Sequence, residues 1–455
     1  MSMFKWEVVN PAPGEPVAPN QRLPWGRTIG LGAQHVVAMF GATFVFPIVM
    51  GLDANLAIMF SGICTIGFLL ICSNKVPSYL GTSASFVAGV AAIRTQGGDS
   101  ADVTGAILVA GLVLAAVGVL VHFAGAGLIH KILPPAVTGA VVMLIGFNLA
   151  PVVAKVYWPQ DQWVALATAA FMVCAAVLLP GFWSRIAVFL ALVFGFVISW
   201  IFDAVFGTIN SVVPALGATA TDHDRTWGWD AVGDAKWIGF PHGTLTDGVS
   251  VVHGPSFSLT FILLVLPGVI ALIAENTGHV KAVAEMTGEN LDPYMGRAIG
   301  ADGLATAFAS AFGGSPTTTY AENIGVMGAT KVYSTAAYYV AGAVAILLGL
   351  CPKFGAIVNA TPGGVLGGIT VVLYGMIGLV GAKIWVENNV DFGNPVNMVG
   401  LAGGLIAGIG GVELTFSDDF KLGGIALGTI VVIVFFHAVK GRSETATSGE
   451  VTKRL

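Results

Sequence analysis

The stretch SPTTTYAENIGVMGAT, Ser315–Thr330, decides how the rest of the chain is read. Three threonines and a tyrosine lead into Glu322 and Asn323, with apolar residues crowding both sides. The whole chain is 55% hydrophobic and 10% charged, with a mean hydropathy of +0.84. A soluble domain usually has about 25% charged residues. This chain has too few to cover a water-facing surface of its size, so it reads as an all-α polytopic membrane protein. A net charge of -5 gives no basis for nucleic-acid binding.

Length arithmetic explains the odd stretch. As continuous helix, Ser315–Thr330 would span about 24 Å, short of the ~30 Å hydrocarbon core. With its first five residues extended, it reaches about 33 Å. Gly313, Gly314 and Pro316 break helix and the threonine run favours strand, so helix resumes near Ala321. Pro77–Ile93 has the same design: Pro77, Tyr79 and Gly81, then TSASF, then AGVAAI. Extended backbone is tolerated at membrane depth only where protein or a cavity satisfies it. The two stretches are therefore expected to pair as short antiparallel strands. Their free backbone groups and the half-helix N-termini that follow would line a polar pocket.

Twelve further apolar runs lie at about 30–50, 55–73, 104–124, 134–154, 163–180, 184–206, 256–281, 298–314, 333–351, 355–380, 396–412 and 422–439. With the two broken stretches the expectation is fourteen segments, both termini cytoplasmic. Inside segments then hold 14 of the 20 Lys and Arg residues, as the positive-inside rule requires. The loop 207–255, with Asp222, Asp224, Asp230, Asp234 and Asp247 against two bases, falls outside. PPAVTGAVVMLIG from Pro134 and PGGVLGGITVVLYG from Pro362 form a weak repeat, each fifth in its set of seven. Seven is odd, so the halves would be inverted, as in secondary transporters. The N-terminal MSMFKWEVVNPAPGEP lacks an apolar h-region and reads as a short polar tail, as does GRSETATSGEVTKRL. Cys64, Cys72, Cys174 and Cys351 show no metal spacing and read as small core residues, so no metal or cofactor is expected.

The intramembrane polar residues carry the chemistry. Glu322 falls near mid-membrane, where a charge costs at least ~2.5–3.5 kcal/mol and marks a site. Glu275 and His279, in IAENTGHV, share a helix face. Hydropathy alone leaves Glu275 either in the pocket or at the membrane edge. Asp302, in GADGLAT, is either a coupling group or a structural hydrogen-bond partner. Gln34 and His35 either line a cavity or tie helices together. No Arg or Lys lies deep in any span, so an anion would be repelled. Carboxylates accept two N–H bonds at once, which suits an imide or amide ring. A shielded glutamate can also take up and release a proton, which gives symport a route.

At these residues the chain resembles the nucleobase–ascorbate (nucleobase–cation symport-2) transporters along nearly its whole length. ENIGVMGATK, Glu322–Lys331, matches the family signature of an acid or Gln, then Asn-x-Gly, four residues, Thr and a base. QHVVAMFGAT, VPSYLGTS and AENTGHVKAV resemble the first, third and eighth spans. The resemblance implies a proton-coupled carrier in the bacterial inner membrane, with a core domain (30–124 and 256–351) moving against a gate domain (125–206 and 352–439). The tails are 1–29 and 440–455, and the gate would mediate a homodimer. Glu275 and Glu322 would hold the ring N–H and carbonyl system, beside Tyr320 and the backbone near Ala321, Ala42 and Ala84. His279, Asp302, Asn323, Gln34 and His35 would support the proton path. Uracil carriers of the family have an aromatic where this chain has Ala84, with Phe86 as the substitute if the strand is shifted. Glutamate rather than Gln at 322 favours uracil, then thymine, over xanthine or urate.

Three rivals predict other features. An anion carrier of the same broad fold needs basic pocket residues. An enzyme needs a nucleophile or metal motif beside the acids, and none accompanies them. A channel would not saturate.

Overall fold

The computed structural model describes residues 5–12, 15–125, 127, 133–213, 219–416 and 421–453, with the side chains of 40–42, 182, 185, 421, 423 and 441–453 left out. The first half contains helices α1 (Trp25–Met50) and α2 (Ala54–Ile71), then a broken segment. That segment is strand β1 (Leu80–Thr82), a tight 3-10 turn (Ala84–Phe86) and α3 (Val87–Thr95). Helices α4 (Ser100–Ala124), α5 (Pro135–Asn148), α6 (Gln162–Leu178) and α7 (Ala187–Phe206) follow. The second half contains α8 (Leu259–Thr287), α9 (Met295–Ser310), strand β2 (Thr317–Thr319) and α10 (Ala321–Thr330). It closes with α11 (Thr335–Gly349), α12 (Gly363–Glu387), α13 (Pro395–Ile409) and α14 (Gly424–Lys453). Among the described residues, 7 helices are long and apolar enough to cross a membrane, or 8 with one bent pair counted as a span. In that pair, Pro352–Asn359 turns by 80° from α11. The apolar run at 355–380 is thus two helices, because Ala360–Pro362 interrupts it and α12 starts afresh behind Pro362.

Local sequence sets the helix starts. Asp99 and Asp102 form a reciprocal capping box on α4. The Asp161 side chain accepts from the Trp163 and Val164 amides at the start of α6. Gly51, at φ 72°, takes the left-handed conformation that ends α1.

Small residues set the packing, since lipid offers helices no hydrophobic reason to associate. A Cβ on Gly111 of α4 would lie 2.7 Å from the Ala307 amide nitrogen and 2.8 Å from the Gly303 oxygen on α9. A Cβ on Gly342 of α11 would lie 2.9 Å from the Gly62 oxygen on α2. One on Gly428 of α14 would lie 2.8 Å from the Gly404 oxygen on α13. Two groups of helices result. In one, α4 packs on α8 and α9, and α11 on α1 and α2. In the other, α12 packs on α5, α6 and α7, and α14 on α5 and α13. The groups meet through α8 against α5 and α14, and through α1 against α7.

The strands β1 and β2 pair antiparallel, with Leu80 opposite Thr319, Gly81 opposite Thr318 and Thr82 opposite Thr317. Tyr320 N–H to Tyr79 O (3.0 Å) and Ser83 N–H to Pro316 O (2.8 Å) extend the ladder. The extended backbone thus satisfies its own groups inside protein, as a membrane interior demands. A side chain at Gly81 would collide with the Tyr320 ring and the Thr43 hydroxyl, so glycine is required there.

The ends are tied down. The N-terminal segment is fastened rather than loose: Trp6 Nε1 donates to Thr335 Oγ1 (2.9 Å), and Val17 exchanges backbone bonds with Lys331 and Tyr333. At the other end the 207–255 loop holds both helix groups. Arg225 pairs with Asp161 (2.6 Å) and Asp203 (3.0 Å) on α7. Asp247 pairs with Arg94 (2.6 Å) and accepts from the Ser100 amide and hydroxyl.

Candidate functional site

A cavity of about 760 Å³ lies between the two helix groups. Its inner end meets the strand pair at Ala84, Ser85 and Ala321, where two helices begin after extended backbone. Glu275, Gly278 and His279 on α8 form one wall. Thr138, Val142 and Ile145 of α5, with Ile377 and Val380 of α12, form the opposite wall. The cavity runs outward to Lys281, Glu285, Lys383 and Glu387, at the C-terminal ends of α8 and α12. The inner end therefore carries a carboxylate, an imidazole and helix N-termini, and its lysines stand only at the mouth.

Because α8 extends to Thr287, Glu275 lies three turns inside its end and in the cavity wall. Glu322 sits in the first turn of α10, where the helix dipole favours negative charge; it is accessible but is not among the residues that line the cavity. Ala321 is exposed beside Glu322.

Behind this wall runs a hydrogen-bonded chain. His279 Nδ1 is 2.7 Å from Thr319 Oγ1, and Thr319 donates to Asn276 Oδ1 (3.4 Å). The hydroxyl of Thr319 thus accepts from Nδ1–H, leaving Nε2 of a neutral ring as an acceptor. Asn276 Nδ2 donates to Asp302 Oδ2 (2.6 Å), and Thr317 donates to Asp302 Oδ1 (3.3 Å). Asp302 is fully buried and outside the cavity wall.

A second cluster braces the other side of the strands. Asn323 Nδ2 donates to His35 O (2.9 Å) and lies 3.2 Å from His35 Nδ1, and the His35 ring packs 4.4 Å from Tyr338. Tyr320 donates to Thr82 O (2.7 Å), so it clamps the strand pair and is buried away from the wall. Phe86 is fully buried, and a Cβ on Gly268 of α8 would meet its ring at 3.0 Å, so it is packed behind the 3-10 turn and not in the wall. Gln34 is half-buried on α1, also off the wall. Ala42 lies outside the residues whose side chains are described. Sequence reasoning missed Asn276 and Thr319, although AENTGHV and TTTY display both. It missed the α5 and α12 wall because Val142, Ile145 and Ile377 look like any lipid-facing residues.

A family model described as "Permease family" (Xan_ur_permease) matches residues 26–416. This chain belongs to the nucleobase:cation symporter-2 permease family. The permease is 41% identical to "Putative pyrimidine permease RutG" of Escherichia coli (strain K12) over 425 residues, 92% of this chain and 90% of that one. It is 34% identical to the uracil permease of Bacillus caldolyticus, over 92% of this chain and 94% of that one. Among solved structures it shares the fold of the murine anion transporter Slc26a9 in the inward-facing state, with a TM-score of 0.61 and 13% identity. That match covers 91% of this chain and 68% of the other. It is thus a multi-pass membrane protein whose named relatives are transporters.

Proposed function

We propose that this permease takes up a pyrimidine nucleobase, uracil first and thymine second, together with a proton. The observation that carries the reading is the inner end of the cavity. Glu275 and His279 stand in its wall beside two helix N-termini, with Glu322 one residue past the Ala321 that lines it. Carboxylates take ring N–H groups and helix N-termini take ring carbonyls, so a neutral imide ring is matched on both edges. Relatives named uracil and pyrimidine permeases support the same class. The acids disfavour the anion-carrier reading, and the Slc26a9 likeness is one of fold alone.

Helix packing supports fourteen segments in two inverted sets of seven. If α1–α7 (with the first broken segment third) correspond to α8–α14, then α2 on α11 exchanges with α9 on α4. Likewise α1 on α11 exchanges with α8 on α4, and β1–β2 and α5–α12 map onto themselves. The antiparallel strand pair is what inversion requires. In this reading α1–α4 with α8–α11 are the core, and the remaining helices are the gate and the dimer surface. The cavity mouth at Lys281 and Lys383 is then cytoplasmic, as both termini are, in a bacterial inner membrane. His279 and the Thr319–Asn276–Asp302 chain would move the proton, with Asn323, His35 and Gln34 as braces.

Uptake of radiolabelled uracil, thymine, xanthine and urate into cells, with a pH series and an uncoupler, tests this. Saturable pyrimidine uptake that collapses with the uncoupler is expected. Xanthine uptake that uracil fails to compete would overturn the substrate, and uncoupler-insensitive accumulation would overturn the coupling.

A further inference from the structure

The loop 207–255 carries a run of exposed apolar residues that the transport site does not use. Trp237 is 72% exposed, Ile238 85% and Phe240 57%. A contiguous apolar run on a polar loop marks an interaction surface. The run is held in a fixed place. Lys353 N–H donates to Lys236 O (2.9 Å) and Gly239 N–H donates to Leu350 O (3.0 Å), so 236–239 lies alongside 350–353. The Lys353 ammonium sits 5.2 Å from the centre of the Trp237 ring.

That place is the end of a membrane helix. Helix α11 stops at Gly349, and Leu347 in its last turn is 68% exposed, as a lipid-facing residue of a spanning helix would be. The following helix, Pro352–Asn359, leaves at 80° and so runs close to the membrane plane, with Ile357 exposed on it. The apolar run therefore continues the lipid-facing surface of α11 at the water boundary. Tryptophan is enriched at that depth, and lysines there lay their stems on apolar surface while their charges reach the headgroups. The Lys353 ammonium also donates to Gly233 O (3.3 Å), which pins the loop beside the end of α11.

We infer that Trp237, Ile238 and Phe240 dip into the headgroup region of the bilayer. With Pro352–Asn359 they form an interfacial anchor at the end of the molecule opposite the cavity mouth. The occupant of this surface is lipid, and the inference does not depend on which substrate is carried.

The test uses full-length protein in lipid nanodiscs, with Cys174 and Cys351 replaced by serine and a bimane label on Ile238→Cys. Leu347→Cys serves as the lipid reference and Thr221→Cys as the aqueous one. Nitroxide placed near the headgroup end of the lipid chains should cost the Ile238 label as much fluorescence as the Leu347 label, and iodide should barely affect it. Strong iodide quenching with no nitroxide effect, matching Thr221, would overturn the proposal. So would insensitivity to both quenchers, which would mean that protein covers the run. Phe240→Cys repeats the measurement if the Ile238 variant fails to elute as a folded species.

Discussion

The imidazole of His279 and the hydroxyl of Thr319 stand 2.7 Å apart, which fastens the cavity wall of α8 to strand β2. Through Thr319 the same contact reaches Asn276 and the buried Asp302. Thr319→Val removes the link without adding volume. A neutral hydrogen bond is worth about 0.5–1.5 kcal/mol, so substrate affinity should fall by at most about tenfold. The pH profile of uptake should shift as well, because His279 loses the partner that fixes its tautomer. Thr319→Ser should restore both. An unaltered pH profile in the valine variant would remove the chain from the proton path.

Glu322→Gln should abolish uracil uptake while membrane insertion stays normal. Hydrogen bonds to charged groups are worth about 1.5–3 kcal/mol, so binding should drop by about ten- to a hundredfold, with the exchangeable proton lost besides. Uptake and surface quantification on the same cells separate loss of function from loss of protein. Glu275→Gln should weaken binding comparably, since its carboxylate lines the wall. Normal transport in either variant would remove that residue from the site.

Asp247 links the 207–255 loop to the core through Arg94 and Ser100. Burial raises its pKa, but the hydrogen bonds from Ser100, Arg94 and the Val249 amide, with the Arg94 charge, outweigh that and hold it at about 2. An unfolded aspartate titrates near ~3.9. The clamp is therefore fully present above pH ~4 and is lost only as pH falls toward about 2. Limited proteolysis of the loop should be independent of pH from about 5 to 8 in the native protein. Asp247→Asn should speed cleavage throughout that range. A native cleavage rate that climbed on going from neutral to mildly acid pH would contradict this assignment.

Gly111 sits where α4 and α9 touch, and its Cβ would meet the Ala307 amide nitrogen at 2.7 Å. Gly111→Val should force the helices apart, at about 1–3 kcal/mol or more. A thermal-unfolding series in detergent should show a lower midpoint. Gly97→Ser, in a turn with open space around it but at φ 83°, should cost less. Equal loss from both would mean that helix contact does not limit stability.

Much of the scaffold was legible in one dimension. Pro316, Gly313, Gly314 and Thr317–Thr319 forbid continuous helix at membrane depth, so an extended stretch followed at once. Gly81 and Tyr79 gave the matching break. Glu322 stood out as a candidate because a carboxylate between apolar runs is costly to place. Phe86 shows the limit: the family resemblance offered it as the substitute for an aromatic at Ala84, yet the 3-10 turn at Ala84–Phe86 packs it against α8. Tyr320 likewise turned to cap Thr82 rather than face the cavity.

Composition, helix-breaking residues and stranded charges thus determined that the chain spans a membrane, where it unwinds and which acids are candidates for the site. Those properties belong to residues in water or lipid one at a time, so sequence carries them. Only the tertiary structure decided that the two strands pair with each other, that Asn276 and Thr319 join His279 to Asp302, and that α5 and α12 close the cavity. Contacts between segments hundreds of residues apart depend on how glycine faces let helices approach, and no local pattern records that distance.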